Sequence, residues 1–110
     1  MAIHKKNREL IHKKYNGHCA YCGKEISYKQ MQVDHIHPVY NEGTDDIENL
    51  NPSCARCNKW KSTFTIEQFR HEIQEQVNRL NLRSSNYRMA KDFNLIQENN
   101  MQVKFYFETI

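Results

Sequence analysis

No stretch of this 110-residue chain approaches the roughly 20 consecutive apolar residues that cross a bilayer. The opening MAIHKKNRELIHKK has no apolar run of the kind a secretion signal needs. Internal repeats, low-complexity tracts and linkers are missing too, and at this length a second independent domain is not available, so residues 1–110 read as a single domain. Apolar residues make up only 38% of the chain, which leaves a thin core that needs a staple such as disulfides or a structural metal. The expectation from these absences is a cytoplasmic, intracellular protein with no membrane partner.

Four cysteines supply the staple, as Cys19-Ala-Tyr-Cys22 and Cys54-Ala-Arg-Cys57. In a reducing compartment two CxxC knuckles read as a tetrahedral zinc site, because each presents two thiolates from one tight turn. Disulfides are the weaker reading without a secretion signal. Four thiolates leave no open position, so such a zinc is structural and not catalytic. Gly23 suits the turn that closes the first knuckle.

The net charge of +3 is unevenly placed: residues 1–64 hold ten Lys/Arg against seven Asp/Glu, and residues 65–110 hold six of each. The basic excess therefore travels with the cysteines, and Lys13 and Lys14 belong to a basic first helix that suits a polyanion such as nucleic acid. An ordinary solvated helix face explains the same charges.

Local signals place the elements. A helix is expected over residues 3–15, with Leu10, Ile11 and Tyr15 on one face and Gly17 as its stop. A strand follows up to Val39, ended by Pro38 and the loop behind it. Asp45 and Glu48 have capping-box spacing, and Cys54 to Ser62 can run as a helix. Thr65 and Gln68 form another capping box ahead of an amphipathic helix over 66–82; Ser84 and Ser85 can cap one more, with Asn94 as its left-handed stop. Val103, Phe105 and Phe107 alternate with polar neighbours at the period of a strand. Tyr21 and Trp60 read as packing around the metal.

Between the knuckles lie 31 residues, more than a simple zinc ribbon uses, and they include QVDHIHPV. Ionisable groups in a strand raise the folding free energy unless something pairs with them. A metal joining residue 22 to residue 54 folds the strand of Asp34 and His35 back against the helix of Asn58. A carboxylate, an imidazole and an amide oxygen then converge, a set suited to metal-assisted phosphodiester hydrolysis. Asp34 and Asn58 supply hard oxygen ligands. His35 alternates to the other strand face, and an imidazole titrates near neutral pH, so it is free to be the general base.

In this order CAYCG, VDHIHP, IENLNPSC and CARCNKWK resemble the HNH nucleases, specifically the zinc-containing kind of phage and mobile-element genes. The resemblance is tight over residues 18–62, the motif core, and looser over a support region, 65–110. It implies an α+β fold: a small, treble-clef-like ββα-metal core with the four-cysteine structural zinc site, an N-terminal helix, and C-terminal helices plus a strand.

It also implies a bacterial or phage-encoded DNA endonuclease that leaves 5′-phosphate and 3′-hydroxyl ends. His35 would be the general base, Asp34 and Asn58 the ligands of a catalytic Mg2+ or Mn2+, and Asn49 the residue that orients the His35 ring through a loop hydrogen bond. Asn49 is equally readable as a turn residue. Lys61 and Arg56 are placed to touch backbone phosphates. His37 stays open between a phosphate contact, a third ligand and the rim of the hairpin. The alternatives are a non-catalytic zinc module binding DNA or protein, or an accessory of a phage packaging machine; DNA, a second copy and packaging proteins are the partners these readings name.

Overall fold

Helix α1 spans Lys5–Lys13 in the computed structural model, which describes residues 3–110. The chain divides into two compact units, one of residues up to Phe69 with Lys104–Ile110, the other of Arg70–Val103. The last seven residues thus belong with the motif and not with the support region. In α1 Ile11 is fully buried while Leu10 is exposed, because neighbours on a helix lie about 100° apart and only one can face the core. The chain leaves the helix through Asn16 and Gly17, both at positive φ.

The first knuckle follows. Gly23 sits at φ +79°, and a Cβ there would stand 2.9 Å from the Tyr106 ring, so neither backbone nor space admits a side chain. Strand β1, Gln32–His35, pairs antiparallel with β2, Leu50–Ser53, in a register that sets Asp34 opposite Asn51 and His35 opposite Leu50. β1 is shorter than the strand to Val39 that the sequence suggests, since residues 39–41 close a 3-10 turn instead. β2 has little sequence signal because it contains Pro52. The Pro52 carbonyl accepts from the Ala20 N–H at 2.8 Å, so the knuckle docks along β2.

Helix α2, Ala55–Lys61, starts from Cys54, whose sulfur accepts from the Cys57 N–H. Helix α3, Ile66–Gln74, opens with the reciprocal Thr65–Gln68 capping bonds at 2.9 and 3.2 Å. Within the first unit Phe69 stacks on Phe105 at 5.1 Å, and Tyr21 meets both rings edge-on at 5.5 and 5.3 Å. This aromatic cluster adds to a small aliphatic core of Ile11, Ile26, Met31 and Leu50.

The second unit departs from the single helix over 66–82. The Gln76 side-chain amide takes the Glu72 carbonyl, the acceptor its own N–H would use in a continuous helix, and the chain restarts as α4, Gln76–Arg83. Helix α5, Ser85–Asp92, is capped by the Ser84 hydroxyl, and Asn94 stops it at φ 61°. Among the described residues Val103–Glu108 forms no strand. The Tyr106 and Phe107 N–H groups donate to Tyr21 and Ala20 carbonyls in the knuckle, and a 3-10 turn over Tyr106–Glu108 follows.

Candidate active site

The four cysteine sulfurs lie within 4.8 Å of one another, with Cys22 and Cys54 at 3.9 Å, and all four are free thiols. Sulfurs around a zinc ion stand roughly 3.8 Å apart, given zinc–sulfur bonds of about 2.3 Å, so this cluster fits a tetrahedral metal. Hydrogen bonding with Cys57 holds the Cys19 thiol down at about 4 and pushes the Cys57 thiol up, an arrangement with a proton to lose on metal binding. Arg56 is exposed, and its guanidinium is held above its usual range chiefly by a hydrogen bond to Cys22. It therefore faces the sulfur cluster.

The C-terminal end of β1 and the C-terminal half of α2 border a cleft of about 450 Å³ lined by Asp34, His35, Asn58, Pro38, Tyr40 and Ser62 among others. The strand and helix thus deliver Asp34, His35 and Asn58 to one surface. Alternation along β1 buries Asp34 and leaves the His35 side chain 20% exposed.

Asp34 is the most constrained member. Its Oδ2 accepts from the Tyr21 hydroxyl, and Lys61 Nζ lies 3.2 Å from Oδ1 and 3.1 Å from Oδ2. Burial pushes the Asp34 carboxyl up, and Lys61 and Tyr21 oppose that shift. Lys61 also donates to the His35 carbonyl at 2.8 Å. A single ammonium therefore ties α2 to both Asp34 and His35. This corrects the placement of Lys61 on backbone phosphates: the side chain is fully buried, and its donors are used inside the protein.

Lys14 departs in the same way. Its ammonium reaches the Leu50 carbonyl at 2.8 Å, the Ile47 carbonyl at 3.3 Å and Asn51 Oδ1 at 3.4 Å, so it joins α1 to β2. Asn51 in turn donates to the Tyr21 hydroxyl, which completes a buried polar chain from Lys14 through Asn51, Tyr21 and Asp34 to Lys61. Of the basic residues the sequence offers to nucleic acid, Lys13 and Arg56 are exposed. Trp60 is 45% exposed and does not pack as a buried residue around the sulfurs.

Asn49 acts on the loop and not directly on the His35 ring. Its Oδ1 accepts from the His37 N–H at 2.9 Å, and its Nδ2 donates to the carbonyls of His37 at 3.1 Å and Thr44 at 2.7 Å. The ring has a different partner: His35 Nε2 lies 2.9 Å from Asp45 Oδ1. Capping-box spacing points to Asp45 as the helix cap, but Asp46 occupies the N-cap position of the 3-10 turn Ile47–Asn49. The His37 side chain is exposed, and its backbone is what Asn49 holds.

Two participants escaped the sequence reading. Asp45 lies in an irregular loop where no periodicity relates it to His35. The Tyr21 hydroxyl is hidden behind the ring's packing role. A DD pair after a Gly-Thr turn was the one available signal for the first, and nothing marked the second.

Residues 19–64 match the family model described as HNH endonuclease. The CRISPR-associated endonuclease Cas9 of Corynebacterium diphtheriae is 45% identical over 47 residues, which is 42% of this chain and 4% of the relative. The Cas9 of Actinomyces naeslundii is 44% identical over 45 residues, 40% of this chain and 4% of its own length. The chain therefore spans about 4% of the curated relatives it matches. The crystal structure of the Type II-C Cas9 enzyme from Actinomyces naeslundii superposes with a TM-score of 0.55 at 22% identity, covering 84% of this chain and 11% of that one, and shares its fold. These relatives are CRISPR-associated, whereas the motifs suggested phage members.

Proposed function

From a chain whose residues 19–64 belong to the HNH endonuclease family, we propose a DNA endonuclease module that hydrolyses phosphodiester bonds in a divalent-metal-dependent reaction. The observation that carries this reading is the single cleft lined by Asp34, His35 and Asn58. Its donor set is of the hard, oxygen type that Mg2+ or Mn2+ prefers. Such an ion held by Asp34 and Asn58 would supply charge stabilisation at the scissile phosphate and the leaving 3′ oxygen.

The chain's own groups do the rest. His35, whose Nε2 is engaged by Asp45, has Nδ1 left to take a proton from water. Tyr21 and Lys61 fix the Asp34 carboxylate in one orientation, which limits reorganisation as charge develops. Zinc on Cys19, Cys22, Cys54 and Cys57 would hold β2 and α2 in place without reacting. Lys13 and Arg56, both exposed, would be the basic side chains available to backbone phosphates, contacts that orient without reading sequence.

Supercoiled plasmid incubated with the protein and Mg2+ or Mn2+ tests this. Nicked or linear products whose 5′ ends accept labelled phosphate only after phosphatase treatment support hydrolysis to 5′-phosphate and 3′-hydroxyl ends. A second reading, a zinc module that binds DNA without cutting it, is favoured by one observation: Asp34 is already neutralised by Lys61. It predicts retarded plasmid with no cleavage under any metal.

A further inference from the structure

The loop between β1 and β2 brings a carboxylate to the ring of His35 and is itself held in place by Asn49. We infer that Asp45 is the positioning residue of His35, and that Asn49 acts on the ring only by pinning the loop that carries Asp45. The inference rests on the nuclease reading of His35 and deepens it.

Chemistry fixes the direction of the contact. An ionised carboxylate only accepts, so at 2.9 Å from Asp45 Oδ1 the His35 Nε2 must donate. A neutral imidazole that carries its proton on Nε2 has a lone pair on Nδ1, the form a general base requires. Asp45 thus selects a tautomer as well as a ring orientation.

Asp45 is itself 54% exposed, so burial does not hold it; its loop does. Asn49 Nδ2 grips the carbonyl of Thr44, the residue immediately before Asp45, at 2.7 Å. The two bonds from the Asn49 amide to the His37 backbone hold the other side of the loop. The Gly43 N–H donates to the Pro38 carbonyl at 2.8 Å, and a Cβ on Gly43 would lie 1.8 Å from the His37 carbonyl oxygen. The loop closes so tightly that no side chain fits at its waist. Thr44 adds a hydroxyl bond to Asp46 at 3.0 Å, which leaves Asp45 as the acid turned to the ring.

Long-range proton–nitrogen NMR on the full chain labelled with 15N-histidine reads the tautomer directly, with no metal added and at about pH 8.5, two units above the ordinary imidazole value. In the wild type the His35 nitrogens are expected to show a protonated Nε2 and a bare Nδ1. Asp45→Ala should move both toward the averaged shifts of exchanging tautomers, Asp45→Asn should keep the wild-type pattern because its amide oxygen still accepts, and Asn49→Ala should behave like Asp45→Ala. The chain's other histidine signals report that each variant is folded. Plasmid cleavage should fall roughly ten-fold in Asp45→Ala and recover in Asp45→Asn.

Unchanged His35 nitrogen shifts in folded Asp45→Ala would overturn the inference. So would Asn49→Ala losing the tautomer while Asp45→Ala keeps it. A wild type that shows the tautomer but never cuts DNA overturns the nuclease reading and leaves this pairing standing, so the two failures are distinct.

Discussion

Lys61 Nζ lies 3.1 Å from Asp34 Oδ2, and both side chains are buried, the lysine completely. The pair spans the junction of α2 and β1 and sits one helical turn beyond Asn58. A buried ion pair contributes little net stability, yet breaking it by removing one partner leaves an uncompensated charge in low dielectric.

Lys61→Met should therefore lower unfolding free energy by about 3–5 kcal/mol. The double variant Lys61→Met with Asp34→Asn should recover most of that loss, since no charge is then stranded. Urea denaturation of the two singles and the double forms a cycle, and additive losses would contradict the pairing.

Tyr21 combines two roles that substitution can separate. Tyr21→Phe keeps the edge-on contacts with Phe69 and Phe105 but removes the hydroxyl from Asp34 and Asn51. A loss of about 1–3 kcal/mol is expected, because buried Asp34 and Asn51 each lose a hydrogen-bond partner. Tyr21→Leu should lose more, because the aromatic cluster goes with it.

Metal removal tests the cysteine cluster. Chelation, or Cys22→Ser, should abolish the cooperative melting transition of the unit that contains the knuckles, because metal binding there is coupled to folding. Stoichiometric zinc released on denaturation is the accompanying result. A stripped protein that keeps its transition would show that the aromatic core suffices alone.

In the second unit Glu98 is held below the usual carboxylate range, first by the Asn81 amide, then by the Tyr87 hydroxyl and Lys91. A lowered folded value means the unfolded chain binds the proton more readily, so this contribution is present above the ordinary glutamate value of about 4.3 and is lost as pH falls through the folded value. Glu98→Gln should flatten that acid-side fall in melting temperature. The difference from wild type should vanish at low pH, where both side chains are neutral.

How far the residues themselves announced this arrangement depended on the range of the signal. The CxxC spacings and the VDHIHP alternation are local, and they led to one sulfur cluster and to Asp34, His35 and Asn58 on one cleft. The Thr65–Gln68 cap and the Asn94 stop are local too, and the backbone follows them. What failed was tertiary. Lys61 has the helical position of a solvated lysine, and only the approach of β1 makes it a buried counter-ion. The alternation over Val103–Phe107 has a strand's period, but its N–H groups find the knuckle carbonyls instead of a neighbouring strand. Gln76 is a good helix former, yet the helix expected over 66–82 breaks at residue 75, beside the bond from the Gln76 side-chain amide to the Glu72 carbonyl.

The most direct test of the central claim is the single-turnover rate of plasmid nicking in Mg2+ or Mn2+ for wild type against His35→Ala, with zinc content and melting temperature matched. Wild type should nick, and the variant should lose about 10²–10⁴-fold, the usual worth of a positioned base. Equal rates in the two proteins would contradict the assignment of His35 and, with it, of the cleft.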